Sequence, residues 1–180
     1  MSQHQLVPPV NAHDHVDGSA DAPITLVEYG DFECSYCGMA YPIVKAAQQA
    51  LGPNLRFVFR NFPLREVHPH AERAAEASEA AAAQGKFWPM YDELYEHQRA
   101  LHDDDLVRYA EDVGLDAARF TREMTAGAYA KPVRAEFMSG VRSGVNGTPT
   151  FFVNGRRYDG DWRDADAFVA DLARSGNVAA

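Results

Sequence analysis

Hydrophobic and polar positions change their period several times along the chain, and each change marks an element. Ile24-Thr25-Leu26-Val27-Glu28-Tyr29 is a short run of β-branched and aromatic residues that stops at Gly30-Asp31. That is the pattern of a buried strand. From Ser35 to Leu51 the period becomes helical, with Met39, Ile43, Val44, Ala47 and Leu51 on one stripe and Gly52-Pro53 closing it. Leu55-Arg56-Phe57-Val58-Phe59-Arg60-Asn61-Phe62 then alternates aromatic and polar positions until Pro63. Strand, helix and strand follow one another, a unit that requires parallel strands and a helical crossover.

No strand pattern occurs from Pro69 to Ser143. Breaks at Gln84-Gly85, His102-Asp103, Gly114 and Gly127 divide this stretch into four or five helices of about ten to fifteen residues. Ala71 to Ala83 is rich in Ala and Glu, strong helix formers. Pro89 falls in the first turn of a helix beginning near Lys86, where a missing N–H does no harm. Strand pattern returns at Thr150-Phe151-Phe152-Val153, followed by an Asn154-Gly155 turn and Arg156-Arg157-Tyr158, a strong hairpin signal. A last amphipathic helix runs from Asp164 to about Arg174, with Phe168, Val169 and Leu172 inward. Ser2 to Ala22 is polar, contains Pro8-Pro9 and has no period, so it reads as a loose tail or edge arm. The expected organisation is α/β: a flexible N-terminal arm over 1–21, a mixed-sheet domain made of 22–66 and 144–176, an inserted helical subdomain over 67–143, and a tail over 177–180.

Composition adds bounds. With 180 residues, 46% of them hydrophobic and 24% charged, the chain suits one globular domain carrying an insertion. No apolar run approaches the ~20 residues that span a bilayer. Met1 to Asn11 has neither a positive n-region nor an apolar core, so no signal peptide is expected and the location reads as cytoplasmic. The mature end of an exported protein would read the same. A net charge of −9 argues against nucleic acid or an anionic membrane surface as partner.

The chemistry lies in Cys34-Ser35-Tyr36-Cys37, which holds both cysteines of the chain where the strand pattern gives way to a helical one. A disulfide there would staple little: closing so short a loop is worth roughly 2 kcal/mol, against about 3 for a fifteen-residue loop. In a reducing compartment paired cysteines are more often catalytic or metal-binding. A cysteine at a helix start faces unpaired N–H groups and the positive end of the helix dipole, which favour thiolate over thiol. Cys34 holds that position and is expected to be the nucleophile, with a pKa below the ~8.5 of a free cysteine. Cys37, one turn further in, is placed to resolve a mixed disulfide. Ser35 and Tyr36 bring no positive charge to the pair, and Asp31 and Glu33 add negative charge that opposes the thiolate. Glu28, an acid inside an apolar strand, is the other unusual residue; it is either buried for a reason or solvated at the strand end.

Three stretches in register, Gly30-Asp31-Phe32-Glu33-Cys34, Gly85-Lys86-Phe87-Trp88 and Gly147-Thr148-Pro149-Thr150-Phe151-Phe152-Val153-Asn154-Gly155, carry a resemblance. Together with the βαβ and ββα order, they make the chain similar to the thioredoxin-fold DsbA-like thiol-disulfide oxidoreductases, single-domain bacterial members with a helical insertion. The resemblance implies dithiol-disulfide exchange through Cys34 and Cys37 with protein or small-molecule thiols and disulfides. It implies a separate redox-recycling partner, no cofactor beyond the sulfurs and no metal. It makes Glu28 a buried acid that moves a proton to or from the resolving cysteine. It also makes Pro149 a cis proline at the disulfide, Thr148 a source of backbone groups for an extended substrate, and Ser35 and Tyr36 substrate-facing residues.

Alternatives in other classes are a glutathione-using transferase or isomerase of the same architecture, a zinc-binding module and a non-catalytic peptide-binding module. The first departs from this chain at both cysteines, and the second lacks another cysteine pair. Phe32, Tyr36, Phe87, Trp88 and Tyr91 are candidates for an apolar peptide groove but fit a core better. His68 and His70, flanking Pro69, read as solvated loop residues.

Overall fold

Residues 5–178 are described by the structure, a computed structural model. Among them are five strands, β1 (His15–Asp17), β2 (Ile24–Gly30), β3 (Leu55–Asn61), β4 (Thr150–Val153) and β5 (Arg156–Arg157). The α-helices are α1 (Ser35–Leu51), α2 (Ala71–Ala82), α3 (Phe87–Glu96), α4 (Asp103–Asp112), α5 (Ala117–Thr125), α6 (Ala130–Arg142) and α7 (Ala165–Gly176). The strands form one mixed sheet in the order β1-β3-β2-β4-β5. The expected βαβ and ββα halves and the helices between them are therefore present.

Two compact units emerge. One gathers the residues up to Gly30, Met39–Arg60 and the residues from Ser139 on; the other is Asp31–Gly38 with Asn61–Met138.

In the first unit β2 is buried nearly throughout, which is why its sequence reads as a continuous apolar run rather than an alternation. It pairs antiparallel with β4, Leu26 opposite Val153 and Glu28 opposite Phe151. Asn154 and Gly155 both take positive φ, 49° and 80°, as a two-residue hairpin turn of this kind needs. The Asn154 side-chain oxygen accepts from the Thr25 amide at 2.8 Å, which ties the turn to β2. Asp164 caps α7 by accepting from the Ala167 amide at 3.0 Å, and α7 packs on β2, burying Phe168, Leu172 and Ala173. Val169, expected inward, is only half-buried.

The arm differs from its expectation. Residues 1–4 and 179–180 lie outside the described residues, but 5–21 is tied down. Gln5 bridges Arg156, and β1 pairs antiparallel with β3, Val16 opposite Val58. The cause is Arg60, a buried guanidinium on β3. It donates to both Asp14 carboxylate oxygens at 2.7 and 2.9 Å, to the Pro8 and Pro9 carbonyls, and to the Tyr29 hydroxyl at 2.9 Å. A buried charge needs such partners, and the arm supplies most of them. Burial by itself disfavours the charge on Arg60, but the bond to Asp14 leads the effects that hold its pKa above the usual value.

The buried stripe of α1 is Cys37, Ala40, Val44, Ala47 and Leu51, a 3-4-3-4 spacing that gives one helix face. Met39, expected on that stripe, is 52% exposed. Val44, Ala47 and Leu51 lie on the expected stripe, while the small Ala40 and the cysteine at 37 complete a face that a hydrophobicity pattern did not show.

In the second unit α2 lies against α3, α4 and α5. Its buried positions are mostly alanine, so neighbouring backbones come close. Arg73 of α2 donates to Glu76, to Asp103 and to the Met124 carbonyl, joining three of these helices by side-chain bonds.

Candidate active site

Asp31–Gly38 forms a turn that runs directly into α1. The Cys34 amide donates to the Asp31 carbonyl at 3.1 Å, and the Gly38 amide donates to the Cys34 carbonyl at 3.0 Å. Cys34 thus precedes the first helical residue, Ser35, where the leading amides of a helix lack intrahelical acceptors. Cys34 is 5% exposed and Cys37 is fully buried. The Asp31 amide points at the Cys37 sulfur, 3.5 Å away. Ser35 and Tyr36 face outward, Tyr36 with 56% of its surface exposed.

Charge at this turn is arranged in two matched pairs. The buried Asp31 carboxylate accepts from the Glu33 amide, the Leu64 amide and His68 Nδ1, each at 2.8 Å. Glu33 accepts from the His70 amide at 2.6 Å and meets His70 Nδ1 at 2.9 Å. His68 and His70 are therefore not the solvated loop residues expected from the sequence. Both sit in the segment leading into α2, and both pairs span the same 37 positions. Acids at 31 and 33 matched by histidines at 68 and 70 were a signal present in the chain, though nothing local pointed to it. Burial works against the charged form of His68, but the hydrogen bond to Asp31 and the negative charges of Asp31, Cys34 and Glu33 outweigh it and raise its pKa above the ordinary value.

A third residue missed at the sequence level is Gln98. Its side-chain amide donates to the carbonyls of Phe32 and Cys34 at 2.8 and 2.9 Å. Gly38 makes room for it, since a Cβ there would run into the Gln98 amide. Beneath the turn Phe32 packs on Tyr95 and Tyr91, centroids 4.9 and 6.0 Å apart. Phe32, Phe87 and Tyr91 are buried core residues.

Within the strand-bearing unit, Glu28 is 1% exposed, so the buried alternative holds for it. Its partner across the strands, Phe151, lies two residues beyond Pro149. The Thr148–Pro149 peptide is cis, and the Thr150 hydroxyl donates to the Gly147 carbonyl at 2.7 Å. Glu28, Thr148 and Pro149 thus gather at one end of the β2–β4 pair.

Neither cysteine belongs to a cluster of three or more possible metal ligands among the described residues, whereas structural zinc takes four. His97 meets the Glu93 carboxylate at 3.2 Å, and His102 caps α4.

A mixed sheet with α2–α6 inserted between its halves, and a Cys-x-x-Cys turn opening α1, define the fold of the DsbA-like thiol-disulfide oxidoreductases. A family model described as thioredoxin matches residues 11–170, and the chain belongs to that family. Its structure is similar to that of oxidised BdbD from Bacillus subtilis, with a TM-score of 0.84 over 97% of both chains at 22% identity. It is also similar to a thioredoxin-like oxidoreductase from Silicibacter pomeroyi, with a TM-score of 0.77 over 91% of this chain and 94% of that one at 28% identity. In sequence it is 48% identical over 161 residues to the Na(+)/H(+) antiporter NhaA 3 of Salinispora tropica, 87% of this chain and 24% of the antiporter. The NhaA antiporter of Herminiimonas arsenicoxydans is 44% identical over 171 residues, 94% of this chain and 27% of that protein. The chain spans about a quarter of the length of these curated relatives.

Proposed function

We propose that this protein is a thiol-disulfide oxidoreductase working through Cys34 and Cys37. The observation that carries the proposal is the placement of Cys34 at the opening of α1 with Cys37 one turn behind it. In the reducing direction, the Cys34 thiolate attacks one sulfur of a substrate disulfide, joins it as a mixed disulfide and releases the other sulfur as a thiolate. Cys37 loses its proton and attacks Cys34. The second substrate thiolate leaves, and the Cys34–Cys37 disulfide holds the two oxidising equivalents that the substrate gave up. The oxidising direction is the same sequence reversed, and the potential of the couple against its partners sets which one runs.

Substrates are protein or small-molecule thiols and disulfides, and a separate redox partner, reductant or oxidant according to direction, restores the starting state. Glu28 moves the proton of the resolving step, the Thr148 backbone pairs with an extended substrate beside Pro149, and Ser35 and Tyr36 meet the substrate from outside. No described helix is long and apolar enough to cross a membrane.

Cys37→Ala tests the chemistry, because a partner captured on Cys34 then has no route off. The expected outcome is a set of mixed disulfides that disappear on reduction and in the Cys34→Ser variant, with wild-type protein reaching a two-electron equilibrium with glutathione. An absence of adducts through Cys34 together with no such equilibrium would reject the proposal.

A further inference from the structure

Ser35 and Tyr36 put no cation between the cysteines, while Asp31 and Glu33 put two acids beside them. A thiolate at Cys34 would thus face two negative neighbours, each of which disfavours it. Instead, each acid is joined to a histidine ring. An ionised carboxylate only accepts, so His68 Nδ1 carries a proton toward Asp31 at 2.8 Å.

We propose that His68 is a positioning residue of this site: clamped by Asp31, it supplies the positive charge that favours the Cys34 thiolate. This rests on the oxidoreductase reading above and assigns a part in it to a residue outside the Cys-x-x-Cys motif.

The groups facing His68 fit the role. From the Asp31–Gly38 turn comes Asp31, whose carboxylate holds the ring at 2.8 Å while its carbonyl accepts from the Cys34 amide at 3.1 Å, and the negative charges of Asp31, Cys34 and Glu33 act to keep the His68 proton in place. Along its own segment, Arg65 turns to Glu66 and Glu72. His70 answers Glu33, and behind it stands the His102 ring from the start of α4, 4.4 Å from it centroid to centroid. Asp31 is held rigidly by the Leu64 and Glu33 amides, so the ring it carries has a fixed place. A charge so held keeps its effect on a neighbouring thiol, whereas a mobile surface side chain loses much of it to solvent.

Below the His68 pKa the ring is charged and the thiolate is favoured. As pH rises through that value the charge goes, leaving Asp31 opposed to the thiolate.

Iodoacetamide alkylation of Cys34 in a Cys37→Ala background reads thiolate content whether or not the protein exchanges disulfides, so this test stands apart from that of the overall function. His68→Gln, which keeps a donor toward Asp31 without the charge, should slow alkylation about tenfold at acidic pH, the size expected for loss of one close opposite charge. His68→Lys should restore much of the rate. An unchanged profile in His68→Gln overturns the proposal, and so does a slowed His68→Gln that His68→Lys does not rescue, since the effect would then be structural. Linkage demands a reciprocal effect: in Cys34→Ser, the His68 titration midpoint followed by NMR should fall. A midpoint unmoved by that substitution also overturns the proposal.

Discussion

Gln98 illustrates how one neutral side chain controls a reactive turn. Its amide satisfies the Phe32 and Cys34 carbonyls together, and each such bond is worth about 1 kcal/mol net, more when its loss leaves a buried acceptor unsatisfied. Gln98→Ala should therefore lower unfolding stability by about 1–3 kcal/mol in urea titrations. Gly38→Ala should disturb the same contact, because the new methyl displaces the Gln98 amide. In a Gln98→Ala background that clash is gone, and Gly38→Ala should turn neutral or stabilising by up to about 1 kcal/mol, the helix preference of Ala over Gly. Additive effects in this double-mutant cycle would show that the two side chains do not meet. None of this was legible in the sequence, where Gln98 is one polar residue after a helix.

β1 is held at the sheet edge by charge more than by its three residues. Arg60 is 2% and Asp14 6% exposed at the side chain, so cutting the pair strands a buried cation, at a cost of about 3–5 kcal/mol. Asp14→Ala should lose that much stability, and hydrogen exchange of the β3 amides facing β1 should quicken more than that of the β2–β4 ladder. Equal protection in wild type and variant would mean that the arm stays without its anchor. The strands β2, β3 and β4 were legible because a run buried on both faces, bounded by Gly and Pro, carries its own signal. β1 was not: three residues beside polar neighbours have no usable period, and their pairing comes from β3. The face of α1 was half legible, since alanine and cysteine line it while Met39 points outward.

For the whole molecule, two raised pKa values make stability fall as pH rises, first near neutral pH and again in the alkaline range. The folded-state pKa of His68 is raised, so its contribution is complete below the unfolded value of ~6.5 and is lost as pH climbs through the folded value. Tyr158 is held protonated well above its ordinary value, first by burial and then by its hydrogen bond to Asp171 and that carboxylate's charge. Above pH ~10 the unfolded chain releases that proton while the folded chain keeps it, so stability drops again. Melting temperature should decline as pH rises past about 6.5 and again above about 10, with His68→Gln flattening the first step and Tyr158→Phe the second. A flat wild-type curve would contradict both assignments.

The sequence by itself determined the order of strands and helices, the helical insertion and the seat of Cys34 at a helix start, because periodicity, breakers and the Cys-x-x-Cys spacing act among near neighbours. Only the tertiary structure decided what surrounds that cysteine. Asp31 with His68, and Glu33 with His70, meet across 37 positions, and Gln98 reaches Cys34 across 64. Such pairings depend on how distant segments close and what they bury, and a residue's own neighbours carry no trace of them. Two acids that read as opponents of the thiolate are, in the folded chain, the anchors of its histidines.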